Sequence, residues 1–185
     1  MQTPMGALEA EHEELRRLLR AIQGMAGALH QGHRVDPRDL HLAVRVLHEF
    51  ADGWHHRKEH DAVLPAVRKS AKDAKPALQE LARHDEECHA LAERLRGLAD
   101  AAAGGDVRDQ VHWRLAAVAA CRAWEQHIRA ENRVLAPLLA RMGKRQQAEV
   151  WKAMAAIDAK VPDHQRHGRD IERLLQAYAR YAVAA

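Results

Sequence analysis

Histidine and glutamate recur in one register along this chain of 185 residues, which contains fourteen histidines. Three pairs are separated by the same offset of 72 residues: His12 and His84, His55 and His127, and Glu59 and Glu131. Pro65 and Pro137 follow the same offset. Because chance would rarely supply four such matches in one register, we infer a partial internal duplication that has kept these residues.

The spacing within each repeat indicates why these residue types belong together. His55 precedes Glu59 by four residues, and His127 precedes Glu131 by four. In an α-helix, residues four apart lie ~40° apart around the axis, so each pair shares one helix face. Those faces also carry the apolar residues expected in the interior, where an unpaired charge is costly. Metal coordination satisfies four imidazoles and two carboxylates together, and helical bundles build two-metal sites of this kind.

Counting the ligands predicts open positions on the metals. Four imidazole nitrogens and two bridging carboxylates would supply about four bonds to each of two ions. Iron and manganese prefer more ligands than this, so room is left for a hydroxide and for dioxygen, peroxide or nitric oxide. The predicted cofactor is two non-haem iron ions, with manganese or zinc as alternatives. The predicted metal ligands are His12, His55, Glu59, His84, His127 and Glu131.

Helices must position these residues, because apolar residues recur with a period of 3.6 along most of the chain. The first helix is expected to end at Gly32. Asp36 and Pro37 are predicted to be the N-cap and the first residue of the second helix. A third helix is expected to start near Lys75, and a fourth to follow the break that ends at Asp106. Four helices with short connections predict an all-α, up-down-up-down four-helix bundle.

Two units are predicted along the chain. Residues 1–143 would form the metal-binding bundle, and residues 144–185 a C-terminal helical extension packed on or beside it. The extension is expected to break at Val161-Pro162-Asp163.

Composition excludes several classes of protein. Hydrophobic residues make up 47% and aromatic residues 4%, so alanine, leucine and valine must fill the core. The net charge of +3 comes from interleaved signs, which predicts no nucleic-acid partner. The longest apolar run, from Leu115 to Cys121, is far too short to span a membrane, and no secretory signal is recognisable. We therefore expect a cytoplasmic protein with reduced thiols, and no oligomeric state is predicted.

The remaining histidines are expected to take no direct part in the site. His56 and His60 form a rival pair, but an α-helical register turns both toward the polar face. The others nearby are expected to fill helix faces or the surface: His41, His48 and His89.

The order and spacing of the six predicted ligands resemble those of the hemerythrin-like, or HHE cation-binding, family. The segments HHRKEHDAVLPAV and HIRAENRVLAPLL are similar to the two His-x3-Glu helices of that family, and EHEELRRLL to its first helix. The resemblance covers about residues 8–142 and implies a four-helix bundle with a non-haem di-iron centre. The oxygen carriers of the family have a second histidine one turn beyond the first on the third helix. Cys88 stands there in this chain, either as a small buried residue or with a metal or redox role.

The resemblance also implies what the protein does. It predicts a protein that binds, senses or reacts with dioxygen, nitric oxide or peroxide. Alternatives are a catalase-like or nitric-oxide-handling oxidoreductase, an iron storage or iron-centre-repair protein, and, remotely, an interaction bundle that needs no metal. Whether the protein is an enzyme is left open by the sequence.

Overall fold

The computed structural model describes residues 3–160 and 164–182, and helices dominate these ranges with no strand among them. The α-helices are α1 (Pro4–His30), α2 (Pro37–Val46), α3 (His56–Lys58), α4 (Leu64–Ser70), α5 (Lys75–Gly97), α6 (Ala99–Ala103), α7 (Val107–Ala140), α8 (Lys144–Asp158) and α9 (His164–Tyr178). Two π-helical stretches, Leu47–His55 and Glu59–Val63, join α2, α3 and α4 into one continuous segment, called the second segment below. Short 3-10 turns lie at Lys72–Ala74 and Ala179–Tyr181.

Local capping explains where the helices begin. The Asp36 carboxylate accepts a hydrogen bond of 2.8 Å from the backbone N–H of Arg38, and Asp106 accepts one of 2.8 Å from Arg108. Such caps satisfy backbone donors that a helix start leaves unpaired. The predicted all-α bundle with additional C-terminal helices is confirmed. The predicted break at Val161-Pro162-Asp163 lies outside the described residues.

The hairpin geometry brings distant residues to one level of the bundle. The connection after α1 centres on Gly32 and its neighbours, and His12 and His55 lie about equally far from it along the chain. Two antiparallel helices joined there place these histidines side by side. The same relation holds for His84 and His127 around the turn between α6 and α7. Helix α7 packs against both α1 and α5, which brings the two hairpins together.

Polar residues form a layer between two apolar clusters of the described core. One cluster contains Leu15, Cys88 and Trp124, and the other contains Leu8 and Leu135. The fully buried His12 and His127 lie between the clusters along their helices. The apolar residues thus seal the layer on both sides, so its charged groups must find partners within the layer.

The π-helical stretches keep one face of the second segment toward the interior. Leu47, Ala51, His55, Glu59 and Val63 recur every four residues, and all five are buried. In a regular α-helix a four-residue repeat drifts around the axis by ~40° at each step. The wider π turns, in which the N–H groups of residues 56 and 64 bond to carbonyls five residues back, cancel this drift.

Pro65 lies two residues after Val63, where the second π-helical stretch ends. Its ring carries no N–H group and crowds the carbonyl four residues back, which favours a widened turn at this point. In the first repeat, the widened turn thus explains the proline that both repeats share.

The C-terminal helices pack on the bundle. Helix α8 contacts the second π-helical stretch, and α9 lies along α1. The backbone of α1 closely approaches the end of α9 at Gly24 and the following 3-10 turn at Gly27, where an added Cβ would overlap the carbonyl oxygens of Tyr178 and Tyr181 respectively. The division of the chain near residue 143 stays a prediction. Across the described residues, no helix is both long enough and apolar enough to cross a bilayer.

Replacing Gly24 by alanine tests this close approach. The added methyl group must push α9 away from α1, so we expect Gly24→Ala to lower the free energy of unfolding by roughly 1–3 kcal/mol, as overpacking does. Gly97→Ala is the control, because no atom lies within 4 Å of its added Cβ. The control should be neutral or stabilising by up to about 1 kcal/mol. Urea denaturation of both variants measures the difference, and equal stabilities would contradict the packing described.

Candidate metal centre

Two groups of ligand-type side chains occupy the polar layer. The first group consists of His12, His55, Glu59 and Glu131, and the second of His56, Glu59, Asp85 and His127. Within each group, one ligand atom per residue lies within 4.8 Å of the others. Glu59 belongs to both groups, so its carboxylate lies where the two groups meet.

Glu131 is the point on which the histidines of α1 and α7 converge. Its Oε2 atom lies 3.0 Å from Nε2 of His12, 3.2 Å from Nε2 of His127 and 3.8 Å from Nε2 of His55. On the second segment, Nε2 of His55 lies 3.1 Å from Oε1 of Glu59. The two His-x3-Glu pairs therefore face one another across the bundle, as the duplication predicts.

Several of these atoms are close together without forming hydrogen bonds. Nε2 of His55, Nε2 of His127 and Oε1 of Glu59 are buried, and none has a hydrogen-bond partner among the described residues. Short distances without hydrogen-bond alignment are what ligand atoms show when they point at a common centre. Because orphaned buried polar atoms are costly, a cation held between them fits this donor set.

Outer partners orient two of the histidines, and a third histidine lies close to a carboxylate of its own group. Nδ1 of His55 lies 2.9 Å from Glu11, and Nδ1 of His12 lies 3.0 Å from the side-chain oxygen of Asn132. Nδ1 of His127 lies 3.3 Å from Asp85. For His55 and His12 the partner holds Nδ1 and leaves Nε2 turned toward the carboxylates, whereas Nδ1 of His127 makes no hydrogen bond within the described residues. Metal-binding histidines commonly have such partners, which set the tautomer and the ring direction.

His84 joins neither group. The buried stripe of α5 runs through Leu81, Cys88, Ala92 and Leu95, and Asp85 rather than His84 continues its three- and four-residue spacing. Asp85 therefore lies 3.3 Å from His127, whereas His84 has no ligand atom in either group, and both residues are partly buried. The Nδ1 atom of His84 is nonetheless buried and lacks a hydrogen-bond partner within the described chain. Its role as a ligand stays a prediction.

The predicted position of His56 on the polar face is wrong, whereas its part in metal binding stays a prediction. This histidine is buried and stacks on Trp124, with ring centroids 4.8 Å apart. An α-helical register places it on the polar face, but the π-helical stretch before it shifts the register and turns it inward. His60 and His89 are exposed, as expected. His55 and His56, which are adjacent in the sequence, therefore both face the layer.

A buried lysine stabilises the first group from outside. Lys58 is 1% exposed, and its ammonium contacts the carboxylates of Glu11 and Asp158 and lies 3.8 Å from the ring centroid of Trp54. Glu11 in turn holds His55. The C-terminal helix α8 is thereby connected to the candidate centre. A charged residue on a buried helix stripe is the signal by which the sequence could have revealed Lys58.

The electrostatics of the layer follow from burial and close approach. Burial and repulsion by Glu131 raise the pKa of Glu59 to about 8. Burial alone would raise the pKa of Glu131, but His127 and His12 outweigh it and hold that pKa well below its ordinary value. Burial opposes protonation of His55, yet Glu59 and Glu11 raise its pKa well above its ordinary value. When no cation is bound, these shifts favour a protonated Glu59 and a protonated His55 beside an ionised Glu131.

Cys88 lies near the layer but in neither group. It is buried, and burial together with the nearby Asp85 raises the pKa of its thiol. A thiol is a ligand only as thiolate. The arrangement therefore favours the small buried residue over the metal or redox role.

Removing the Lys58 charge should disturb both folding and metal binding. Lys58→Met leaves Glu11 buried without its cation, and such a change costs roughly 3–5 kcal/mol. Metal affinity should fall about 10–100-fold, because Glu11 orients His55. Arg57→Met is the matched control, since Arg57 is exposed. Denaturation and metal competition measure the two effects, and a Lys58→Met protein equal to the control in both would refute the role of Lys58.

Glu59→Gln should stabilise the metal-free protein as the pH rises. Because the folded-state pKa of about 8 exceeds the ordinary value of 4.5, the stability that the wild-type proton contributes is lost between these pH values. Glutamine does not titrate, so the variant should gain on the order of 5 °C in melting temperature at pH 8 and little at pH 5. Exposed Glu86→Gln is the control. Melting curves in chelator that show no pH-dependent difference would contradict the assignment.

Comparison with known proteins identifies the family. The model of the hemerythrin HHE cation binding domain matches residues 3–139. Searches of curated proteins and of solved structures gave no significant match. The matched range contains both ligand groups, Lys58 and Glu11, and ends before α8. The match covers well over half of the chain, and the chain therefore belongs to the hemerythrin HHE cation-binding domain family.

Proposed function

We propose that the polar layer holds two iron ions and that the protein binds, senses or reacts with a small ligand such as dioxygen, nitric oxide or peroxide. The observation that carries the proposal is the pair of buried groups that share Glu59. Each group offers two imidazoles and two carboxylates, and a nitrogen and oxygen set without thiolate suits iron or manganese, with zinc also compatible.

The proposed ligands have distinct roles. His12 and His55 would bind the first ion and His127 the second, with Glu59 between the two. Glu131 lies near all three histidines, which supports the bridging role predicted for it. When bound, the metals would supply an exchange of electrons between the ferrous and ferric states and open positions for the ligand.

The burial of the layer restricts what can reach it. His12 and His127 are 0% exposed, and Glu59 and Glu131 are 1% and 2% exposed. A diatomic molecule or a peroxide can enter such a site by small side-chain movements, whereas a larger substrate cannot. This supports the proposed ligand class over reactions on bulky molecules.

Binding and turnover lead to different observations. A sensor or carrier would take up its ligand reversibly, whereas a catalase-like or nitric-oxide-handling enzyme would turn over with a reductant or a second substrate molecule. A storage or repair protein would release its iron. No nucleic-acid or membrane partner is part of the proposal, and a cytoplasmic location stays a prediction.

Metal analysis with an anaerobic-to-aerobic optical spectrum tests the proposal. We expect about two iron ions per chain and new absorption when oxygen is admitted. Zinc alone, or no metal after purification and anaerobic addition of ferrous iron, would refute the redox function. Nitric oxide or peroxide is then added, and the number of equivalents consumed per chain is counted. One equivalent indicates binding, and many equivalents indicate turnover.

Single substitutions test which residues hold the metals. Glu59→Ala should lower the metal content most, because its carboxylate serves both groups, and Glu131→Ala should follow. Glu86→Ala is the matched control on the surface of α5. Asp85→Asn and His84→Gln decide the third helix: loss of metal in the first and not the second supports the second group described here, and the reverse result restores the predicted His84 ligand.

A further inference from the structure

A second cluster of ligand-type side chains lies at the surface between the first π-helical stretch and α5. The cluster, called the outer cluster below, consists of His48, Asp52, His89 and Glu93. His48 and Asp52 are four residues apart on one helix, and His89 and Glu93 are four residues apart on the facing helix. Residues at this spacing are neighbours on a helix surface, and the two pairs contact each other across the facing helices.

The distances within the outer cluster are short. Oδ2 of Asp52 lies 3.5 Å from Nδ1 of His48 and 3.3 Å from Nδ1 of His89. Oε1 of Glu93 lies 3.7 Å from Nδ1 of His48. The side chains of His48 and His89 are 49% and 58% exposed, whereas that of Asp52 is only 10% exposed. The cluster therefore has two imidazoles open to solvent and a carboxylate fixed at its base. Unlike the two buried groups, its ligand atoms are not all within 4.8 Å of one another, so the exposed side chains would turn to share one ion.

Asp52 also faces inward. Its Oδ1 atom is buried and lacks a hydrogen-bond partner within the described ranges, although it lies 3.5 Å from Nδ1 of His56. Asp52 stands four residues after His48 and four before His56, and the π-helical stretch keeps these three residues close to one line along the helix. One carboxylate thus touches both the surface and the second group.

From His56 the row of ligand-type atoms continues to the centre. Nε2 of His56 lies 3.9 Å from Oδ1 of Asp85, which lies 3.3 Å from Nδ1 of His127. Exposed His60 also contacts Asp85, at 3.3 Å. Imidazole nitrogens and carboxylate oxygens therefore follow one another from solvent to the buried layer in steps of less than 4 Å.

We propose that the outer cluster binds a divalent first-row transition metal ion and passes it through Asp52 and His56 to the second group. Two imidazoles and two carboxylates suit ions such as Zn²⁺, Co²⁺ or Fe²⁺. Binding at the surface stands on the outer cluster alone, whereas the passage inward rests on the proposed function. The alternative is that the four residues form surface ion pairs without affinity for metal.

Zn²⁺ titration of the whole protein, as purified with its metal in place, tests the binding step. We expect His48→Gln/His89→Gln to bind about one Zn²⁺ fewer per chain, or to bind it at least about tenfold more weakly, than wild type. His41→Gln/His112→Gln is the matched control, because both histidines are exposed and lie outside the cluster. Equal stoichiometry and affinity in wild type and both variants would overturn the outer site. Circular dichroism of each variant excludes a folding defect.

The rate of metal uptake tests the passage. Metal-free wild type and the two double variants are mixed anaerobically with Fe²⁺, and the iron retained after passage through a chelating column is followed with time. We expect the outer-cluster variant to load several-fold more slowly than the control but to reach the same final content. An unchanged rate would overturn the passage even where the Zn²⁺ site is found. If no variant retains iron while Zn²⁺ still binds at the surface, the proposed function fails and the outer site stands.

Discussion

The interaction on which this structure depends is the mutual neutralisation of charged side chains buried in one layer of a helical bundle. Glu59 and Glu131 are almost fully enclosed, and apolar clusters close the layer on both sides. Two carboxylates at this depth cannot both remain charged without cations, because the cost of desolvation is large. Protonated histidines can neutralise part of the carboxylate charge, as the raised pKa values of His55 and His127 indicate. Metal ions would meet it more fully, since each accepts several of the orphaned donor atoms at once.

The same constraint explains the shape of the second segment. Its inward residues recur every four positions, a period that neither a regular α-helix nor a continuous π-helix keeps on one face. Alternating α and π turns average to that period, so His55 and Glu59 stay aligned with the apolar residues on either side.

The sequence predicts the fold well, and five of its six predicted ligand residues lie in the two groups of the layer, where their binding of metal stays a prediction. Regular apolar periodicity and the caps at Asp36 and Asp106 determine the helices, because both act locally. The pairing of His55 with Glu59 follows from spacing alone. The inward direction of His56 does not follow from spacing, because it depends on π turns that the amino-acid composition does not indicate. Lys58 and Glu11 are partners only in three dimensions, and no helical period relates them.

The two repeats differ in helix type, and this difference makes the two sides of the candidate metal centre unlike each other. Helix α7 is α-helical throughout, whereas its counterpart in the first repeat contains both π-helical stretches. The difference brings His56 into the layer on one side only, where Asp52 and α5 lie. On the opposite side of the same segment, Lys58 connects Glu11 to Asp158 of α8, outside the matched domain. One face of the segment thus leads toward solvent through imidazoles and carboxylates, and the other is closed by the C-terminal helices. A regular α-helix would orient only one of these sets of side chains correctly. Because the inward residues of the second segment recur every four positions, the segment can place the histidines, the lysine and the apolar residues inside the bundle together.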